Sequence, residues 1–258
     1  MNRLCVLAIA AVWATATTAF AQVPFSTSFE ASEGFIAGGS ADGIDGWANG
    51  SGGGVSHSVS TAQAFTGTQS IVFDNSGSNT SFYSIRRALN NDYSLVPVVT
   101  VSTKLYIDGS TGADRLYGLL GTNSATGTMG STILGITVSG TGVVRAGATW
   151  GSTYSGAGIG TFTTGHADRW LTLTFTFDST TRAATASASN GVETFTWSGT
   201  AGSTGNLLNF NLGSDYDGSA ARNGIGYFDD VQAVPEPATL AALGLGALAL
   251  VRRRRNAK

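Results

Sequence analysis

The sequence predicts an all-β fold, two antiparallel sheets packed as a sandwich, and three observations carry that expectation. Apolar residues alternate with Ser and Thr at period two in several runs; glycines, 36 in 258 residues, punctuate the intervals between them; and only 12% of the chain is charged, against about 25% in an average soluble domain. Amphipathic helices need a charged face that this composition does not supply. About 210 residues between Gln22 and Val234 suit one domain with a single sizeable core.

The first element lies outside that domain. "MNRLCVLAIAAVWATATTAFAQ" places Arg3 before an apolar stretch from Leu4 to about Ala16 and ends on the small-x-small site Ala19-Phe20-Ala21, the layout of a secretory signal peptide over residues 1–21. The only cysteine, Cys5, leaves with it. The exported part therefore has no disulfide, thiolate metal site or cysteine nucleophile.

The strands come next, in chain order. In "VVTVSTKLYIDG", Val99, Val101, Leu105 and Ile107 share one face while Thr100, Ser102, Lys104 and Tyr106 take the other, as a half-buried strand requires. "WLTLTFTFD" points Leu171, Leu173, Phe175 and Phe177 inward and Thr172, Thr174 and Thr176 outward. "DSTTR" then turns the chain into "AATASAS", and Asn190-Gly191 predicts a type I′ hairpin leading to "VETFTW", because both residues tolerate positive φ. Shorter runs such as "QSIVF", "GITVSG", "NLLNFNLG" and "IGYFDDVQ" bring the expected total to about ten strands with closely spaced turns.

The opening "SFEASEGF…DGWANGSGGGVSHSVSTAQAFTGTQSIVF" resembles the first strands of carbohydrate-binding jelly rolls and of concanavalin-like lectin and glucanase domains. "DRWLTLTFTFDSTTRAATASASNG" is similar to the hairpin of concanavalin-like and laminin-G-like domains, and "IGYFDDVQ" to their closing strand. The resemblance implies a two-sheet antiparallel jelly roll over residues 22–233. It also implies a structural calcium ion shared between the acid of the opening Phe-Glu, Glu30, and Asp229 or Asp230 of the closing pair, with carbonyls of the "TGTQS" turn around Thr68 completing the shell. The residues alone leave another arrangement open, in which Asp229 and Asp230 alternate across an edge strand, one solvated and one capping a loop.

Catalytic signatures are missing. Glycosidases need two carboxyl groups flanking the scissile bond, yet the glutamates outside the tail are Glu30, Glu33 and Glu193, none with an aspartate two residues on. There is no Gly-x-Ser-x-Gly elbow, and His57 and His166 stand far apart in Gly/Ser/Thr-rich segments that read as loops. No enzyme is expected, with a polysaccharide lyase or glycosidase as the weaker alternative. Nucleic acid is excluded as a partner: Arg3 precedes the central stretch and five basic residues follow it, leaving eight, against 15 acids once Glu236 is set aside, a net charge of −7 with no basic stripe. Among the tryptophans, Trp150 stands before the glycine-rich "GSTYSGAGIG", so Trp150 and Tyr154 are candidates for stacking on a sugar ring; a Trp150 that plugs the sandwich end is the competing arrangement. Trp47 and Trp197 read as core.

The tail, residues 234–258, is of a different kind. Fourteen apolar or small residues, Ala238 to Val251, reach roughly 21 Å as a helix, short of the roughly 30 Å hydrocarbon core. Arg252, Arg253, Arg254 and Arg255 follow and can reach lipid headgroups, while Pro235 and Pro237 separate the segment from the domain. Pro235-Glu236-Pro237, a short apolar span and an arginine cluster resemble the PEP-CTERM sorting signal of exported bacterial proteins. That implies a membrane-anchored precursor, an exosortase-type processing enzyme, and delivery to the cell surface or an exopolysaccharide matrix. Two functions are expected from this combination: a non-catalytic glycan-binding protein, or a structural surface protein that binds no sugar.

Overall fold

A computed structural model describes residues 24–50, 57–79, 82–89, 98–110, 115–124, 131–148, 156–202, 205–215 and 222–235, all within the unit Pro24–Pro235. These form two sheets in which every pairing is antiparallel. The first runs β13 (Thr194–Thr200), β12 (Ala183–Ser189), β11 (Trp170–Asp178), β6 (Val98–Ile107), β15 (Arg222–Pro235), β4 (Ser70–Asn79), β3 (His57–Ser60), with β1 (Phe25–Thr27) also paired to β15. The second runs β10 (Ala157–Thr161), β9 (Val143–Gly147), β8 (Thr132–Ser139), β7 (Leu116–Thr122), β14 (Asn209–Asp215), β5 (Tyr83–Ala88), β2 (Trp47–Asn49). The expected all-β, two-sheet antiparallel sandwich is the fold observed.

Period-two patterning dictates which face is dry. Leu171, Leu173, Phe175 and Phe177 of β11 and Val99, Val101, Leu105 and Ile107 of β6 are all buried, as read from the alternation. From the other sheet Leu119, Ile136, Val138, Phe210 and Leu212 meet them in one continuous core. Thr103 occupies an inward position of β6; its hydroxyl donates to the Asp229 carbonyl at 2.9 Å, which satisfies a polar group inside the sandwich. Trp47 is 1% exposed and lies 5.4 Å from the Phe29 ring and 5.5 Å from the Phe210 ring. Trp197 packs against the same core while partly buried.

Three local expectations change. The β12–β13 connection closes on the pair Ser189↔Thr194, leaving a four-residue loop in place of the two-residue type I′ turn. Gly191 takes a positive φ of 85°, while the Asn190 carboxamide oxygen accepts the N–H groups of Val192 and Glu193 at 2.9 and 2.7 Å, so the asparagine acts through its side chain. His57 is no loop residue: it sits in β3, 4% exposed, with Nε2 3.2 Å from Ser40 Oγ and its ring 6.0 Å from that of Phe73. Strand β15 continues through Val234 and Pro235, which pair with Thr100 and Val99.

Strand β15 carries one irregularity, at its acidic pair. Between Asp229 and Gln232 the register of β15 on β6 shifts, so that Asp230 and Val231 together oppose Thr103. Asp230 takes a left-handed φ of 46°. Such a bulge bends a strand and re-aims its side chains. Here β15 leaves β4 after Phe228 and takes up β1 from Val231.

Candidate functional site

The outward face of the first sheet carries a row of large rings. Trp170, Tyr106 and Tyr227 are directly opposed on β11, β6 and β15, with ring centroids 5.5 Å apart for the first pair and 5.9 Å for the second. Phe65, from the loop joining β3 to β4, adds a fourth ring 5.8 Å from Trp170 and is 43% exposed. Trp170 and Tyr106 are half-buried and Tyr227 is mostly covered. The rings are tilted by 55° to 74° to one another, an uneven ridge rather than one plane.

Polar groups border the ridge. Lys104 Nζ stands 4.5 Å over the Phe65 ring centre and donates to Thr172 Oγ1 at 3.0 Å. Asp168 Oδ1 accepts the Gly109 N–H at 3.0 Å and a long hydrogen bond from the Tyr106 hydroxyl at 3.4 Å. Burial, followed by the negative charge of Asp168, pushes the Tyr106 phenol above its ordinary range, so it stays a donor at neutral pH. Beyond Thr172 the outward positions are hydroxyls: Thr174 and Thr176 face Ser102 and Thr100 on one side and Ser187 and Thr185 on the other. Exposed ring faces beside hydrogen-bond donors and acceptors suit a ligand that is apolar on one face and hydroxylated at its edges.

The acids expected to share calcium have different partners. Glu30 Oε1 accepts the N–H groups of Thr68 and Gln69 at 2.7 and 2.8 Å, and Oε2 accepts the Thr68 hydroxyl at 2.9 Å. Asp229 Oδ2 accepts Phe65 N–H and Thr66 N–H at 2.7 and 3.1 Å, and its Oδ1 accepts Asp230 N–H at 2.7 Å. Asp230 Oδ1 accepts the Thr66 hydroxyl at 2.6 Å. The "TGTQ" turn thus presents donors to the carboxylates, whereas calcium needs oxygen acceptors on every side. Among the described residues, no three His, Cys, Asp or Glu side chains are grouped to hold a metal ion. The set does not fit one shared calcium ion.

The environments of these acids differ. Burial raises the Glu30 carboxyl, but the three hydrogen bonds from Thr68 and Gln69 outweigh it and leave the group below its ordinary value. Asp229 is fully buried, and desolvation pushes it up to about 6 despite three N–H donors, with the charge of Asp230 adding to the rise. His57 moves the other way: burial lowers it to about 4, partly offset by the charge of Asp42.

Trp150 and Tyr154, the aromatic pair singled out in the sequence, lie outside the described residues, as do Glu236, Pro237 and Arg252 to Arg255. Pro235 is the last residue of β15. Phe65, Tyr106, Trp170 and Tyr227 were not expected to form a site. A signal was present, since Tyr106 and Trp170 are large aromatics in the outward phase of alternating strands; only the pairing register puts them side by side.

Comparison with known proteins finds likenesses of architecture. Lectin II from Ulex europaeus is 10% identical at a TM-score of 0.49, covering 83% of this chain and 98% of that chain. The CBM22-1 xylan-binding domain of Paenibacillus barcinonensis Xyn10C is 15% identical at a TM-score of 0.37, covering 81% and 91%. Trypanosoma rangeli sialidase is 11% identical at a TM-score of 0.43 over 69% of this chain, which spans 27% of that chain; for another sialidase the span is 17%. No curated protein sequence matches. Among the described residues no helix is long and apolar enough to cross a membrane. Residues 233–255 match the PEP-CTERM protein-sorting motif, and the chain is an exported protein sorted through that signal.

Proposed function

We propose that this is a non-catalytic glycan-binding protein of the cell surface or the extracellular polysaccharide matrix, reached after exosortase processing of a membrane-anchored precursor. The observation that carries the reading is the ridge of Phe65, Trp170 and Tyr106, partly open on a sheet face that carries the hydroxyls of Thr172, Thr174 and Thr176 along β11. Sugar rings stack on such faces, and Lys104, Asp168 and the Tyr106 hydroxyl are placed to hydrogen-bond at their rims. A net charge of −7 on the central stretch favours neutral over acidic polysaccharides. Trp150 and Tyr154 are a second proposed contact.

A glycan array followed by affinity electrophoresis tests this, using the protein, Trp170→Ala and Trp150→Ala. Retention lost in Trp170→Ala with little change in melting temperature is the expected result; loss confined to Trp150→Ala moves the contact to that segment. If no glycan is retained, the protein is a structural surface component. Release of reducing sugar or of unsaturated products would make it an enzyme and overturn the non-catalytic reading.

A further inference from the structure

Three carboxylates converge on one short loop, and that loop carries the most exposed ring of the ridge. Residues 61–69 leave β3, cross the flank of β15 where β4 gives way to β1, and enter β4. At one end the Asp229 carboxylate takes the Phe65 and Thr66 N–H groups, and Asp230 takes the Thr66 hydroxyl; at the other Glu30 takes the Thr68 and Gln69 N–H groups. Between them Gly67 adopts a φ of +66°, and a Cβ there would stand 2.3 Å from Glu30 Oε1. Only glycine allows the carboxylate to approach the backbone so closely.

The acids are themselves held in place. Asp229 and Asp230 are aimed by the β15 bulge, whose Asp229 carbonyl is tied to Thr103. Glu30 follows Phe29, which has a left-handed φ of 59°, and its own N–H is accepted by Glu33 at 3.0 Å. Charge-assisted hydrogen bonds from backbone N–H groups to carboxylates are among the stronger neutral-donor bonds. Here they replace part of the hydration that the carboxylates lose, with no cation in the arrangement.

We propose that Glu30, Asp229 and Asp230 form a calcium-independent clamp that positions Phe65 beside Trp170 and Lys104. The clamp replaces the shared ion that resemblance to jelly-roll modules implied. These are positioning residues acting through Phe65, and their effect on ligand binding rests on the proposed glycan-binding function.

The test uses the full-length protein, its Phe65→Ala, Asp229→Asn and Glu30→Gln variants, and the Phe65→Ala/Asp229→Asn double variant. Melting temperature is expected to be the same in excess CaCl2 and in chelator; a rise with calcium that the Asp229 variant lacks overturns the clamp in favour of an ion. Phe65→Ala should weaken the affinity for the retained glycan about two- to tenfold, the order expected for one aromatic contact. Asp229→Asn should do the same, and the double variant should be no worse than either, because one acts through the other. Additive losses overturn the positioning role. Should the wild type retain no glycan, the glycan-binding function fails alone, and amide exchange decides the clamp. Exchange should accelerate at Phe65 and Thr66 in Asp229→Asn and at Thr68 and Gln69 in Glu30→Gln; unchanged exchange overturns it.

Discussion

Acidification from pH 7 to 4.5 sets two buried groups against each other. The His57 imidazole falls from 6.5 to about 4 on folding because burial disfavours the cation, so its contribution to stability is present above pH 6.5 and lost as pH falls towards 4. The Asp229 carboxyl rises from 3.8 to about 6, so its contribution is present below pH 3.8 and lost as pH rises through 6. At about 1.4 kcal/mol per pH unit within each window, His57 costs the fold about 2 kcal/mol between pH 7 and 4.5, and Asp229 returns about 2 kcal/mol. The wild-type unfolding free energy should change little over that interval. His57→Gln, whose amide can still reach Ser40, should become about 2 kcal/mol more stable on acidification, and Asp229→Asn about 2 kcal/mol less stable. Urea unfolding followed by tryptophan fluorescence measures both, and the comparison is of pH slopes, since each substitution also removes native contacts. A His57→Gln slope equal to that of the wild type would refute the reasoning for His57, and an unchanged Asp229→Asn slope would refute it for Asp229.

Other expectations concern the core, the loop and the tail. Trp47→Ala should destabilise the sandwich by about 3 to 5 kcal/mol, because the side chain is 1% exposed among Phe25, Phe29 and Phe210, whereas half-buried Trp170→Ala should cost much less; equal losses in a denaturant titration would remove the distinction between core and ridge. Gly67→Ala should cost more than about 1 kcal/mol through left-handed strain and the clash with Glu30, while Gly158→Ala, with nothing within 4 Å of its added Cβ, should be close to neutral; similar midpoints for the two variants would contradict the role given to Gly67. Replacing Arg252 to Arg255 with serine should weaken membrane retention of the precursor, seen by cell fractionation, with no change in the melting of the sandwich. Unaltered fractionation would remove the arginines from the anchoring role.

The chain alone determined the fold class and the sorting tail. Alternation in "VVTVSTKLYIDG" and "WLTLTFTFD" marks the dry face of each strand because successive side chains point to opposite sides of a sheet, and the same residues are buried. The tail was legible because Pro235, Glu236, Pro237, the apolar span and the arginines are consecutive. Local order in the sequence is enough for both. Tertiary structure decided the rest, since strand pairing and loop docking join residues far apart. Tyr106 and Trp170 are separated by more than sixty residues and become neighbours only through the β6–β11 register. Phe65 joins them across 164 residues from Asp229, whose carboxylate takes its N–H. The acids of the Phe-Glu and Asp-Asp pairs hold the two ends of one loop, but residue type could not tell whether the turn facing them would offer carbonyls to an ion or N–H groups to the acids. That choice depends on peptide orientation in the loop, set by left-handed Gly67 and by the β15 bulge, and peptide orientation is a property of the folded backbone.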